Sequence, residues 1–304
     1  YKEIKFNREE IPCPLCNSSS FNVLYKPSKE INDPKQLYGA ASGITGAQTI
    51  VKCRDCSLIY ENPRLPIEAI IYGYKSADNA GHDSQHQMRR ASFLKALKKL
   101  KKHLPPQGAR VLDVGTAGGA FLEAAEDFGY QAVGIEPSDY LVEAGKKKGL
   151  NIYGGTLQDN PIKGEKFDMV CFWDVLEHIA DPVETILLAK EMLKPDGILL
   201  INYPDIGTWQ AKLAGKRFWW LLSVHLVHFS RKTIVELANR TGLEVFKFDP
   251  YWQTLEFGYL VHIADHLNVP LAGLVKKALP SFIGKIPIPY YASQTTALLR
   301  IKKQ

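Results

Sequence analysis

From Arg110 onward the apolar and polar positions fall into blocks that predict strand, glycine turn and helix in alternation: ARVLDVG, then TAGG, then AFLEAAEDFGY, then the strand QAVGIE. Asp181-Pro182-Val183-Glu184 predicts a helix start, with an Asp cap, Pro at the first helical position and Glu at the third. Lys194-Pro195-Asp196-Gly197 stops that helix and turns into the strand ILLINYP. Ser230 caps a further helix that ends near Gly242, followed by the strands LEVFKF and TTALLRIKK. Upstream, Phe93, Leu94, Leu97, Leu100 and Leu104 recur at helical spacing. The alternation implies an α/β fold with a doubly wound sheet, whose ligands belong at the carboxyl ends of its strands.

Length changes the picture first: 304 residues with 45% hydrophobic content suffice for one α/β core of roughly 200 residues and a smaller module. No apolar run approaches the ~18 residues of a membrane span, because the most apolar stretch, 218–229, is broken by His225 and His228. The first residues, from Tyr1, carry no apolar signal segment, so the cytoplasm is the expected compartment. Net charge is +6, but eight Lys and Arg with no acid lie between Arg89 and Arg110. Away from that segment the protein is near neutral. The basic helix reads as a solvated lysine face on the sheet, or as a surface for RNA, anionic lipid or a nucleotide-sugar diphosphate.

Four of the five cysteines form two pairs, Cys13-Pro-Leu-Cys16 and Cys53-Arg-Asp-Cys56, separated by a loop-rich stretch. A CxxC turn aims two thiolates at one point, and two such turns complete the tetrahedron of a zinc ion. With all four positions filled by sulfur, the metal should fold the module rather than catalyse. Disulfide or redox use is the weaker alternative in a cytosolic chain. Cys171, inside an apolar strand, reads as packing. The expected organisation is a zinc-binding module over 1–62, a linker over 63–88 and a larger domain over 89–304. Tyr72 and Tyr74 in the linker either cover the cofactor or pack at the surface.

Gly115 and Gly119 end the first strand and open a helix, which lets a ligand approach backbone N–H groups. Glu136, at the end of the second strand, is placed to accept both ribose hydroxyls of an adenosine. A dinucleotide such as NAD would use the same parts. Against it stands Asp113, two residues before the first glycine: a buried carboxylate there repels a pyrophosphate and suits the ammonium and sulfonium of S-adenosylmethionine (SAM). The spacing Gly115-x-Ala117-x-Gly119 also departs from GxGxxG.

These residues resemble the class I SAM-dependent methyltransferases. VLDVGTAGGAFL is similar to that family's first motif, VGIEPS to its second, and FDMVCFWDVLEHIADPVETILLAKEMLKPDGILLINYP to its fourth-to-fifth-strand block. The resemblance covers about 89–303 and implies a mostly parallel, seven-stranded Rossmann-like sheet. It departs at Ala117, where the family usually has glycine. It further implies that Asp113 and Gly115 face the methionine part of SAM, Glu136 the ribose, Thr156, Leu157 and Gln158 the adenine, and Trp173 and Asp174 the surroundings of the sulfonium, with Thr116, Ala117, Gly119 and Pro137 also in the cofactor site.

Methyl transfer to a hydroxyl or carbon acid needs a group to take the proton, and histidine suits that task. The candidates are His225, His178 and His228, with Tyr203 after the fifth strand a further pocket residue. An insertion at about 251–292, carrying Lys276, Lys277 and Lys285 among apolar residues, either packs over the sheet or rests on a membrane surface and admits a lipid-linked acceptor. The cysteine module joined to this domain resembles bacterial methyltransferases acting on sugars, polysaccharides or secondary metabolites. Alternatives are an RNA methyltransferase, a non-catalytic SAM-binding scaffold, and a lipid or quinone methyltransferase. RNA binding wants aromatic and basic residues interleaved on one face, which 1–60 lack.

Overall fold

In a computed structural model the chain is described over residues 6–29, 31–38, 43–75, 85–159, 161–266 and 270–303. The N-terminal part contains β1 (Phe21–Tyr25), α1 (Pro34–Tyr38), β2 (Ile50–Cys53), β3 (Ile59–Glu61) and α2 (Ile67–Lys75). After it come α3 (His86–Leu100), β4 (Arg110–Val114), α4 (Ala120–Asp127), β5 (Gln131–Glu136), α5 (Asp139–Lys147), β6 (Ile152–Gly154) and β7 (Phe167–Trp173). The second half runs α6 (Pro182–Glu191), β8 (Leu193–Pro204), α7 (Trp209–Ala214), β9 (Val227–His228), α8 (Arg231–Arg240) and β10 (Leu243–Glu256). It closes with α9 (Phe257–His266), α10 (Ala272–Ala278), α11 (Ser281–Gly284) and β11 (Pro287–Ile301).

The large sheet has seven strands in the order β10-β11-β8-β7-β4-β5-β6, parallel except for β11, which is antiparallel to both neighbours. The doubly wound α/β architecture is therefore present. Its order reverses at β4, which pairs with β5 on one side and β7 on the other, so the crevice beyond the carboxyl ends of β4 and β7 is the place for a ligand. The caps act as expected: the Asp181 side chain accepts from Glu184 N at 2.9 Å with Pro182 opening α6, and Ser230 and Thr233 form a reciprocal capping box on α8.

Three details differ from the sequence expectation. Strand β8 starts at Leu193, not after Gly197; the pairing jumps from Phe167↔Leu193 to Met169↔Ile198, so Lys194–Gly197 is a bulge on the strand. The stretch after residue 62 is no open linker where it is described: Leu65 is fully buried and α2 packs on α1. In the 251–292 insertion, Tyr251–Glu256 and Pro287–Ala292 prolong the β10–β11 hairpin, and the helices α9 to α11 occupy the space between.

A second, antiparallel sheet has the order β1-β2-β3-β9. Its fourth strand comes from far downstream, with Ile59 opposite His228 and Tyr60 opposite Val227. Leu58, Tyr60 and Leu65 join one continuous core with Leu226, Val227 and Phe229. Among the described residues no helix is long and apolar enough to cross a membrane.

Candidate methyl-transfer site

The glycine turn after β4 is built from left-handed residues at alternate positions, Gly115 at φ 71°, Ala117 at φ 49° and Gly119 at φ 82°. A Cβ on Gly119 would overlap Leu150 Cδ1, and one on Gly115 would meet Val175 Cγ2 at 2.8 Å, so both positions exclude a side chain. Ala117 holds a left-handed conformation with a methyl present, a strain of about 1 kcal/mol. Glu136 braces the turn: its carboxylate accepts from Ala117 N and Ser138 N, each at 2.9 Å, and from the Tyr74 hydroxyl. Burial pushes this carboxyl above its ordinary range, and those donors pull it back. Tyr74 thus reaches the end of β5, whereas Tyr72 is exposed beneath Lys35 Nζ.

The turn borders a pocket lined by Asp113, Gly115, Thr116, Ala117, Phe121 and Trp173, with His86, Arg89 and Phe93 from α3 on its other side. Asp113 Oδ1, Thr116 Oγ1 and Trp173 Nε1 are buried without a hydrogen-bond partner. Thr116 eases the Asp113 charge, yet Asp113 Oδ1 and Trp173 Nε1 still lack partners, and buried polar atoms short of partners around one pocket fit a polar, cationic occupant. Burial raises the Asp113 carboxyl to about 8, and the nearby Glu136 charge adds to the shift. An ammonium beside it would reverse that shift. The indole of Trp173 is held among Phe93, Phe121 and Tyr251 at ring separations of 5.0 to 5.4 Å. Of the residues expected to face the adenine, none lines this pocket: Leu157 is buried in the core, Thr156 is tied through its N–H and hydroxyl to Asp159, and Gln158 donates to Thr185. Pro137 is half-buried beside Glu136.

Beyond β7 the chain turns at Asp174, φ 56°, whose carboxylate accepts from Asn202 and Gln294, each at 2.7 Å. Burial raises Asp174 to about 6 against those two donors. A short 3-10 turn over Leu176–His178 follows, and here the histidines converge. His178 and His225 meet edge to face at 4.8 Å, and His225 and His228 at 6.3 Å. His178 Nδ1 lies 3.1 Å from Val224 O and His225 Nδ1 2.9 Å from Trp220 O. A carbonyl can only accept, so each Nδ1 carries the proton and each Nε2 is the lone-pair nitrogen. His225 and His228 are buried and driven by that burial to about 3 and about 4, so both are neutral near pH 7. His178 is half-buried, the most accessible of the three. Glu177 lies behind them with both carboxylate oxygens buried and unpartnered, its carboxyl raised by burial and by Asp174. One oxygen of Glu177 and one nitrogen each of His178 and His225 fall within 4.8 Å of one another, a set that could also hold a divalent cation. Tyr203 does not join this group: it is fully buried against Phe229.

The four cysteines come together. Cys13 Sγ is 3.5 Å from Cys56 Sγ and Cys16 Sγ 3.5 Å from Cys53 Sγ, and all four sulfurs lie within 4.8 Å of one another as free thiols. The residue after each pair, Asn17 at φ 61° and Ser57 at φ 68°, is left-handed, so the two turns are built alike. A tetrahedron with metal–sulfur bonds of ~2.3 Å has edges of about 3.8 Å, close to these separations. Cys171 is buried in β7 as packing.

The methyltransferase-domain family matches residues 84–247, more than half of the chain. The chain belongs to that family. Its fold and the three sequence motifs make it a class I, SAM-dependent member. Curated relatives include the ubiquinone biosynthesis O-methyltransferases of Cereibacter sphaeroides, 33% identical over 109 residues, and of Actinobacillus pleuropneumoniae, 36% identical over 106 residues. These matches cover 34% and 31% of this chain and 44% and 45% of the relatives, so the chain spans less than half the length of the curated relatives it matches. A chain in the Haloferax volcanii complex of a methyltransferase activator with a methyltransferase superposes with TM-score 0.51 at 18% identity, over 73% of this chain and 96% of that one; the likeness is one of fold.

Several site residues escaped the sequence reading. His86, Arg89 and Phe93 share one helical face with Leu97 and Leu100, and that spacing could have placed them over the sheet. Glu177 sits next to a histidine already singled out. Asn202 and Gln294 lie in strands whose pairing alone aims them at Asp174, and no local signal marks them.

Proposed function

We propose that this chain transfers the methyl group of SAM to a hydroxyl of a small-molecule or glycan-type acceptor, such as a sugar, a polysaccharide or a secondary metabolite. The observation that carries the reading is the buried Asp113 carboxylate at the switch point of the sheet, its Oδ1 without a hydrogen-bond partner and its charge eased only by Thr116, in one pocket with the unpartnered Trp173 Nε1. A cation attached to an adenosine is the occupant this arrangement favours. The oxygen acceptor is supported by the relatives, which are O-methyltransferases by name, and by a histidine able to take a hydroxyl proton.

When bound, SAM supplies an electrophilic methyl on a sulfonium. Asp113 would hold the ammonium end by charge, Gly115, Thr116 and Ala117 would present the turn, and Glu136, which braces that turn from behind, would with Pro137 stand nearest the ribose. Thr156 and Leu157 face the adenine, while Trp173 and Asp174 wall the sulfonium side. At the acceptor, His178 Nε2 takes the hydroxyl proton, because Val224 O fixes the proton of the ring on Nδ1. Glu177, its carboxyl raised by burial, lies beside that ring, with His225 and His228 as the neutral wall behind it. Cys13, Cys16, Cys53 and Cys56 would hold a structural zinc ion, which would tie the two CxxC turns of the small sheet together.

The deciding experiment pairs calorimetry with turnover. S-adenosylhomocysteine (SAH) should bind and NADH should not, and His178→Gln should lower kcat by ~10²- to 10⁴-fold while leaving the affinity for SAH unchanged. Uptake of NADH without SAH would end the methyl-transfer reading.

A further inference from the structure

We propose that the three helices between β10 and β11 seat this protein on an anionic phospholipid surface. Strands β10 and β8 are both antiparallel to β11, so β10 ends on the same rim of the sheet as the glycine turn and Asp174. The insertion therefore stands at the ligand-binding rim, not on the opposite edge. Helix α9 is its foundation: it lies against β10, α10 packs on it, and α11 approaches so closely that a Cβ on Gly258 would come within 3.2 Å of the backbone of Gly284.

The outer helices turn apolar side chains to solvent. Leu271 is 70% exposed, Leu274 65% and Phe282 73%, and Val275 and Ile286 are exposed too. Leu274 and Val275 lie on α10 with Leu271 capping its start, and Phe282 lies on α11 with Ile286 two residues past its end. A cluster of this kind needs a cover.

Charge says which cover. Residues 257–286 contain three lysines and a single carboxylate, Asp265, which is already bonded to Lys276 at 3.0 Å. Lys277 and Lys285 are thus left as net positive charge beside the exposed apolar groups. Apolar side chains entering the acyl boundary with lysines at headgroup level is the arrangement of an interfacial anchor. A second copy of the chain would bring Lys277 and Lys285 against their like in a symmetric contact, which their charge opposes. The inference does not depend on the acceptor, and its readout is binding, not turnover.

The test is flotation of the full chain, as purified, with vesicles of phosphatidylcholine alone and with phosphatidylcholine containing phosphatidylglycerol. Partition onto the anionic vesicles that falls with salt is expected, with little onto the neutral ones. Lys277→Gln combined with Lys285→Gln should weaken it about 30-fold, Phe282→Ser about tenfold or more, and Leu187→Ser, on the exposed side of α6, should leave it unchanged. SAH affinity and thermal melting confirm that each variant is folded. The proposal is overturned if neutral and anionic vesicles recover the chain equally, or if neither does. It is equally overturned if light scattering finds a dimer that Phe282→Ser dissociates, since a second copy would then be the cover.

Discussion

Replacing Asp113 by asparagine should make the cofactor-free protein more stable and the cofactor site worse. The carboxyl is 2% exposed and rises from an ordinary 3.8 to about 8 through loss of hydration. With the folded value raised, the native state binds more protons than the unfolded chain between those two values, so the contribution of this group to stability falls as pH rises. At about 1.4 kcal/mol per unit, it costs little below pH ~4, about 1.7 kcal/mol at pH ~5 and about 4.2 kcal/mol at pH ~7. An amide carries a cost of burial too, but one that does not change with pH. The stability difference between Asp113→Asn and the parent should therefore grow by about 2.5 kcal/mol in favour of the variant from pH ~5 to pH ~7. Urea titrations of both proteins at the two pH values measure it. In parallel, calorimetry with SAH should show a loss of at least about 30-fold, because the ligand ammonium loses its charged partner. A difference that stays flat with pH would refute the burial argument, and unchanged SAH affinity would refute the role in the cofactor site.

Three further outcomes are expected. Ala117→Gly should raise stability by a few tenths up to about 1 kcal/mol by relieving the left-handed methyl, whereas Gly119→Ala, with Leu150 in the way, should lower it by roughly 2 kcal/mol or more in urea melts. Arg8→Ala should cost about 3 to 5 kcal/mol near neutral pH, since Arg8 pairs at 2.6 Å with the fully buried Glu61; acid should restore part of the loss as Glu61 takes a proton, visible in melts across pH. Freshly purified protein should carry about one zinc per chain by elemental analysis, and a chelator should lower its melting temperature, a shift that Cys13→Ser should reproduce.

The parallel half of the large sheet was readable because its strands are covered on both faces and stand in the sequence as nearly continuous apolar runs, VLDV and FDMVCFW, each interrupted only by one aspartate, Asp113 or Asp168. Caps at Asp181 and Ser230 and the two CxxC pairs were readable because their chemistry is local. What stayed hidden depends on distant pairing. The strand β9 is two residues long, Val227 and His228, and nothing in its own composition tells that it will complete a sheet begun near residue 21. The rank of the histidines was hidden for the same reason: His225 is a buried neighbour and His178 the accessible one, a difference set by how the 218–229 stretch folds over Leu176–His178. Tyr74 reaches Glu136 only because α2 docks beside the large sheet, a placement with no local signature.

The borrowed strand ties the cysteine sheet to the histidine cluster proposed to face the acceptor. Gln48, beside that sheet, bonds Ser223 O at 2.6 Å, the Ser223 hydroxyl bonds Leu37 O at 2.8 Å, and Glu61 N bonds Leu226 O at 2.9 Å, so the peptide that carries His225 and His228 is sewn to the N-terminal region on both sides of His225. If the four thiolates hold an ion and the histidines take the proton as proposed, removing that ion should misalign the histidines before it disturbs the pocket beside Asp113. Such a chain could be starved of metal and still hold its methyl donor, idle.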